Sequence, residues 1–231
     1  MLMKKRQKVA IFDIDGTIFR SSLLIELMDA LISKGVFPPG TSKKYLRAYK
    51  AWYERIGSYE DYVRKVVAVY EKSIKNTKYS DFMSAVKIIT AFHQNEVYKF
   101  TRELVKELKK KNYYLLAISH SPREIVESFA MRLGFNKVYG RIYETKKGRF
   151  TGKILYTDLI DDKSKILKRA VEKENLSLKG SIGVGDTEGD ISFLKIVSRP
   201  VCFNPNQHLY KYAKRAGWEV VVERKDVVYK L

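Results

Sequence analysis

Val9-Ala10-Ile11-Phe12-Asp13-Ile14-Asp15-Gly16-Thr17 runs four apolar residues into two carboxylates one residue apart, then a glycine and a hydroxyl. A short apolar run bounded by a turn signal reads as a buried strand of a parallel sheet. Such sheets bind ligands just beyond the carboxyl ends of their strands. Strand alternation puts Asp13 and Asp15 on one face, unless the turn at Gly16 bends the second away. Two like charges this close call for a cation or a proton between them. Hard oxygen ligands suit Mg²⁺.

The remainder of the 231-residue chain sets bounds on this reading. It has room for one good core and a small second module. Lys and Arg number 45 against 26 Asp and Glu, a net charge of +19. That excess is spread along the chain without a long tract or a nucleic-acid motif, so it disfavours nucleic acid and suits a phosphate-ester substrate. No apolar stretch approaches the ~20 residues that span a bilayer, so no membrane association is expected. The basic start (Lys4, Lys5, Arg6, Lys8) precedes an apolar run of only Val9 to Phe12, too short for a signal-peptide core. A single cysteine, Cys202, leaves no internal disulfide and no cysteine metal cage. These features together predict a cytoplasmic protein.

Residues 21–94 read as helical. Leu23, Leu24, Leu27, Met28 and Leu31 recur at helical spacing, and Gly35 with Pro38-Pro39-Gly40 ends that run. A second helix is predicted over Lys43 to Ile56. A third opens at a Ser58-Tyr59-Glu60-Asp61 cap, and a fourth covers Ser80 to Phe92. From Asn95 strands and helices alternate. Helical spacing from Val97 to Leu108 precedes a strand at Tyr113–Ile118, and a further helix ends at Gly134. Val138–Tyr143 and Phe150–Leu155 flank a hairpin turn at Lys147-Gly148. A helix from Lys163 to Glu174, a strand at Ser181–Val184 and two further helix–strand pairs, the last strand Trp218–Val222, complete the pattern. This predicts an α/β fold: a Rossmann-like parallel sheet with helices on both faces, formed by residues 1–20 and 95–231. Residues 21–94 are predicted to form an inserted helical cap domain, whose aromatic residues leave room for a homodimer.

Two more places carry chemistry. Ser119 stands where a strand gives way to a turn and a helix, so its hydroxyl and the free backbone N–H groups make an anion site. Ser121 reads as the cap of the following helix, with Pro122 at the first helical position. Gly183-Val184-Gly185-Asp186-Thr187-Glu188-Gly189-Asp190-Ile191 supplies a second carboxylate cluster, again directly after a buried strand.

In this order and spacing the motifs resemble those of the haloacid-dehalogenase-like superfamily. Its first motif is an apolar run followed by Asp-x-Asp-x-Thr, its second a Ser or Thr at a strand end, and its last Gly-Asp-x-x-x-Asp. A helical cap between the first two motifs is similar to the phosphoserine-phosphatase-like subfamily. So are Gly148-Arg149-Phe150-Thr151-Gly152, Pro200-Val201-Cys202-Phe203-Asn204-Pro205 and Ala216-Gly217-Trp218. The resemblance implies a Mg²⁺-dependent phosphatase acting on a small phosphorylated metabolite through an aspartyl-phosphate. Asp13 would be the nucleophile and Asp15 the general acid/base, with Thr17, Ser119 and His120 near the phosphate. It also implies a lysine opening a helix with Ile-Leu at the third and fourth positions, which fits Lys163 better than Lys165. The metal set it implies is Asp13, Asp15, Asp186 and Asp190, with Asp186 binding directly and Asp190 orienting the ligands around the ion.

This chain departs from phosphoserine phosphatases in places that read the substrate. Ser22 stands where the first cap helix usually has an acid, Val66 near the place of a substrate-binding arginine, and Gly189 where Asn precedes the last aspartate. Ser119-His120-Ser121 replaces a Ser-Gly-Gly turn. Other readings of the same residues are a phosphatase for nucleotide or nucleic-acid phosphate ends, a phosphotransferase, and a phosphate-binding protein without turnover.

Overall fold

A computed structural model describes residues 6–231; Lys4 and Lys5 of the basic start lie outside them. The chain divides into two units. One contains the segment ending at Arg20 together with Asn95–Arg141 and Tyr156–Leu231, and the other contains Ser21–Gln94 and Ile142–Leu155. Among the described residues no helix is long and apolar enough to cross a membrane.

The first unit is built on β1 (Gln7–Phe12), β2 (Tyr114–Pro122), the leading part of β3 (Lys137–Lys146), β5 (Leu176–Gly185), β6 (Arg199–Phe203), β7 (Glu219–Arg224) and β8 (Val227–Lys230). Hydrogen bonding orders them β3-β2-β1-β5-β6-β7-β8. All pairs are parallel except β7 with β8. The antiparallel edge strand β8 was absent from the sequence reading; Val227-Val228-Tyr229-Lys230 is short, shows no alternation of apolar and polar residues, and is exposed throughout. Strand β1 lies at the centre, and Val9, Ala10, Ile11 and Phe12 are fully buried. A parallel strand covered on both faces must read as a continuous apolar run, as this one does. The chain passes from β1 through β2 to β3 on one side and places β5 on the other. The carboxyl ends of β1, β2 and β5 therefore flank a topological switch point, where the sheet leaves a crevice.

Helices α5 (Lys99–Lys110), α6 (Arg123–Ala130), α7 (Thr157–Ile160), α8 (Lys163–Lys173), α9 (Ile191–Leu194) and α10 (Gln207–Ala216) complete this unit. Ile166, Leu167 and Ala170 of α8 share one buried cluster with Val9, Ile11, Leu116 and Ile118 of the sheet. Burying each of the Val, Leu and Ile side chains contributes roughly 1.5–3 kcal/mol. The first two N–H groups of α5, from Lys99 and Phe100, donate to the Glu223 carboxylate at 3.0 and 2.8 Å. That satisfies orphan donors and places a negative charge at the positive end of the helix.

The second unit holds α1 (Leu23–Ser33), α2 (Leu46–Tyr53), α3 (Tyr59–Ser73) and α4 (Tyr79–His93), with β4 (Arg149–Leu155) paired antiparallel to the far part of β3. Its core draws Leu27, Met28 and Leu31 from α1, Val66 and Tyr70 from α3, and Phe82 and Val86 from α4. The Ser58 hydroxyl accepts the Asp61 N–H at 3.0 Å and caps α3 as its spacing indicated. Helix α2 is shorter than its pattern. A 3-10 turn over Pro39–Lys44 precedes it, and Arg55 at φ 64° stops it before Ile56. The larger difference is the hairpin, which the sequence reading placed with the α/β unit. The Phe150 ring lies 4.9 Å from Phe82, and Tyr143 lies 5.3 Å from Tyr70. Main-chain N–H groups of Asn76 and Tyr79 donate to the Phe150 and Gly148 carbonyls at 2.8 and 2.9 Å. Alternation within a hairpin does not tell which core covers it; the aromatic contacts do.

Candidate active site

Asp13 follows β1, Ser119 lies near the end of β2, Lys163 opens α8 and Asp186 follows β5. Each therefore stands at the carboxyl edge of the sheet or on a helix beginning beside it. The backbone is shaped for this. Gly16 has φ +78°, and a Cβ built there would lie 2.2 Å from Asp186 Oδ2. Only glycine combines that conformation with so close an approach.

Lys163 holds the acids together. Its side chain is 3% exposed, and its Nζ donates to Asp13 Oδ1 at 2.5 Å and to Asp190 Oδ1 at 2.6 Å. Lys165, its rival in the sequence, instead donates to the Asp158 carbonyl at the surface. Asp190 is fully buried, and its Oδ2 accepts the N–H groups of Asp186 and Thr187 at 2.9 and 3.0 Å. Both its oxygens are therefore engaged in arranging neighbours. Asp13 and Asp186 each retain a carboxylate oxygen with no hydrogen-bond donor among the described residues.

Asp13, Asp186 and Asp190 offer oxygens that lie within 4.8 Å of one another. Three carboxylates around one lysine leave net negative charge in a buried place. Burial pushes the Asp13 carboxyl up to about 8; Lys163 opposes this, and Asp190 and Asp15 add to it. Asp186 is raised well above the usual carboxylate range by burial and by Asp13 and Asp190. Burial alone would lower Lys163, yet Asp13 and Asp190 outweigh it and hold the ammonium charged. An all-oxygen donor set with surplus negative charge fits a hard divalent cation.

The side chain of Asp15, which the resemblance also places in the metal set, lies outside that group of carboxylate oxygens. Its Oδ2 accepts the Ser119 hydroxyl at 2.6 Å and the Ser121 hydroxyl at 2.9 Å. The bend after β1 separates the two acids that simple alternation would pair. Ser121 does not cap α6, which begins at Arg123 after Pro122 without a side-chain cap. The Thr17 hydroxyl donates to Asp186 Oδ1 at 3.1 Å. His120 Nε2 lies 3.0 Å from the Ile160 carbonyl, so that nitrogen carries the proton and donates. The contact of Ser121 with Asp15 and that of Thr17 with Asp186 went unread in the sequence. An i, i+2 pair of serines at a strand end was the available signal for the first.

The arrangement defines a class: an α/β core with acids at two strand ends, a hydroxyl at a third, a buried lysine, and a helical insertion after the first strand. Residues 10–195 match the model of the haloacid dehalogenase-like hydrolases, and the chain belongs to that family. It is 24% identical over 226 residues to a phosphoserine phosphatase of Methanocaldococcus jannaschii, covering 97% of this chain and 96% of that protein. It is 26% identical over 225 residues to a histidinol-phosphatase of Neisseria meningitidis, covering 93% and 98%. A solved structure of a phospho-aspartyl intermediate analogue of phosphoserine phosphatase shares its fold, with a TM-score of 0.65 at 21% identity over 96% of both chains.

Proposed function

We propose that this protein is a Mg²⁺-dependent phosphatase that hydrolyses a small phosphomonoester through an aspartyl-phosphate on Asp13. The observation that carries this reading is the buried Lys163 bridging Asp13 and Asp190 beside Asp186. A carboxylate bonded through one oxygen to a lysine ammonium, with its other oxygen open to a cation that would displace its proton, is equipped to attack phosphorus. Asp13 and Asp186 would hold Mg²⁺ and Asp190 would orient them. The ion would supply charge for the phosphoryl oxygens. Asp13 attacks in line while Asp15 gives its proton to the leaving alcohol. Asp15 then takes a proton from the water that opens the aspartyl-phosphate. Lys163 and the Ser119 hydroxyl stabilise charge on the transferring group. The family resemblance supports these roles residue by residue.

Val66, near the place of the subfamily's substrate-binding arginine, is fully buried in the core of the helical unit. The leaving group is therefore taken broadly, as a phosphorylated small molecule. The test is inorganic phosphate release from phosphoserine, histidinol phosphate, sugar phosphates, nucleotides and phosphorylated oligonucleotides, with and without Mg²⁺. Turnover that needs Mg²⁺ and falls about 10³-fold or more in Asp13→Asn supports the reading. Release unaffected by Asp13→Asn would overturn it.

A further inference from the structure

We infer that Ser121 is a positioning residue for Asp15, and that it is the hydroxyl which keeps hold of Asp15 when Ser119 turns to a phosphoryl oxygen. The inference rests on the proposed phosphatase reading and deepens it.

Ser119 has one proton to give. It is committed to Asp15 Oδ2 at 2.6 Å, and the Ser119 oxygen itself accepts the Ser121 N–H at 2.9 Å. A hydroxyl has a single O–H, so Ser119 donates either to Asp15 or to a phosphoryl oxygen, never to both. When the phosphoryl group arrives, Asp15 loses one of its two hydroxyl donors at the moment it must aim a proton. The Ser121 hydroxyl, 2.9 Å from the same Oδ2, supplies the other. Its side chain belongs to a buried residue and is not spent on capping α6.

The sheet is built to present both hydroxyls. Between β2 and β3 the register runs Ile118 opposite Tyr139 and then Pro122 opposite Arg141, so β2 carries two extra residues in a bulge. Bulges re-aim side chains beside active sites, and the i, i+2 spacing puts Ser119 and Ser121 on one side. The bulged chain leaves no room for a side chain across from it. A Cβ at Gly140 would stand 2.6 Å from Arg123 Cα and 3.0 Å from the Ser121 carbonyl oxygen.

As the bond between phosphorus and Asp13 forms and the ester P–O bond breaks, the carboxyl proton of Asp15 passes to the leaving oxygen. In the second step a water proton returns to the Asp15 carboxylate as the water oxygen bonds phosphorus and the Asp13–phosphorus bond breaks.

The experiment compares Ser121→Ala and Ser121→Thr with wild type on an alkyl phosphate, such as phosphoserine or glycerol phosphate, and on 4-nitrophenyl phosphate. A poor alkoxide leaving group needs the proton of Asp15, and a nitrophenolate barely does. Ser121→Ala is expected to lower the alkyl-to-aryl ratio of kcat/KM by about tenfold or more, and Ser121→Thr is expected to restore it. Equal losses on both substrates, or no change, would overturn the role. A crystal structure of the wild type with beryllofluoride on Asp13 gives a second readout that does not depend on turnover. Ser121 Oγ is expected within hydrogen-bond distance of Asp15 Oδ2 with Ser119 Oγ moved to the fluoride, and the reverse arrangement refutes the inference. Wild-type protein that releases phosphate from no ester of the full panel, yet shows this arrangement, would sink the phosphatase reading and leave the Ser121 contact standing.

Discussion

Lys163 Nζ lies 2.5 Å from Asp13 Oδ1, with both side chains almost wholly removed from solvent. The first residue of α8 thereby neutralises an acid that follows the central strand, and through Asp190 it also joins the loop after β5. Taking these charges out of water is costly, and their mutual attraction is what offsets the cost.

Lys163→Met removes the cation and leaves Asp13, Asp186 and Asp190 buried together. Breaking a buried pair costs roughly 3–5 kcal/mol, so urea denaturation is expected to show a loss of that order in metal-free protein. Mg²⁺ should return part of it. A loss below about 1 kcal/mol would show that the ion pair is not formed in solution.

Asp190 and Asp186 are expected to separate in metal binding. Asp190→Ala frees Lys163 and the N–H groups of Asp186 and Thr187 that it now holds. Loss of such an outer partner weakens metal affinity about 10–100-fold. Asp186→Ala, which removes an open oxygen, should abolish measurable binding by calorimetry. Equal effects would contradict the division of roles.

Metal-free stability should fall as pH rises. In the unfolded chain Asp13 ionises near its ordinary value of 3.8, and in the folded protein it keeps its proton up to about 8. Between those values the native state binds the extra proton, so raising the pH favours unfolding. A divalent cation replaces that proton. The rise in Tm on adding Mg²⁺ should accordingly be small at pH 5.5 and large at pH 8.5, and the opposite trend would remove Asp13 from the cation site.

Gly16→Ala meets two obstacles at once. The residue has φ +78°, and the new methyl would press on Asp186 Oδ2. Backbone strain of this kind costs about 1–3 kcal/mol, and Asp186 must move to relieve the contact. Both a lowered Tm and weakened Mg²⁺ affinity are expected. A lowered Tm with unchanged affinity would show that Asp186 had not moved.

Phe150→Ala tests the placement of the hairpin. The ring packs on Phe82 and Tyr79, and removing a buried Phe costs about 3–5 kcal/mol. Hydrogen exchange should quicken in α3, α4 and β4 while β1 and β5 stay protected. Faster exchange confined to β2 and the leading part of β3 would return the hairpin to the α/β unit.

Particular residues show where sequence reasoning reached its end. Lys163 could be chosen over Lys165 because its spacing to Ile166-Leu167 matches the helix-opening lysine of the family the chain resembles. The hairpin could not be assigned, since Tyr143, Phe150 and their partners Tyr70 and Phe82 lie far apart in the chain. The side chain of Asp15 could not be placed from the sequence, because alternation assumes a straight strand and the chain turns at Gly16.

By itself the sequence determined the α/β class, the helical insertion after β1, and the acids and lysine available at the strand ends. Apolar periodicity and turn residues are local, and they name which side chains emerge where a strand stops. Only the tertiary structure decided how those groups pair: Lys163 with Asp13 and Asp190, Thr17 with Asp186, and Ser119 and Ser121 with Asp15. Those pairings depend on parallel strands brought side by side by long crossovers, on the bulge opposite Gly140 and on the turn at Gly16. Each is a distance across the sheet that no spacing along the chain encodes.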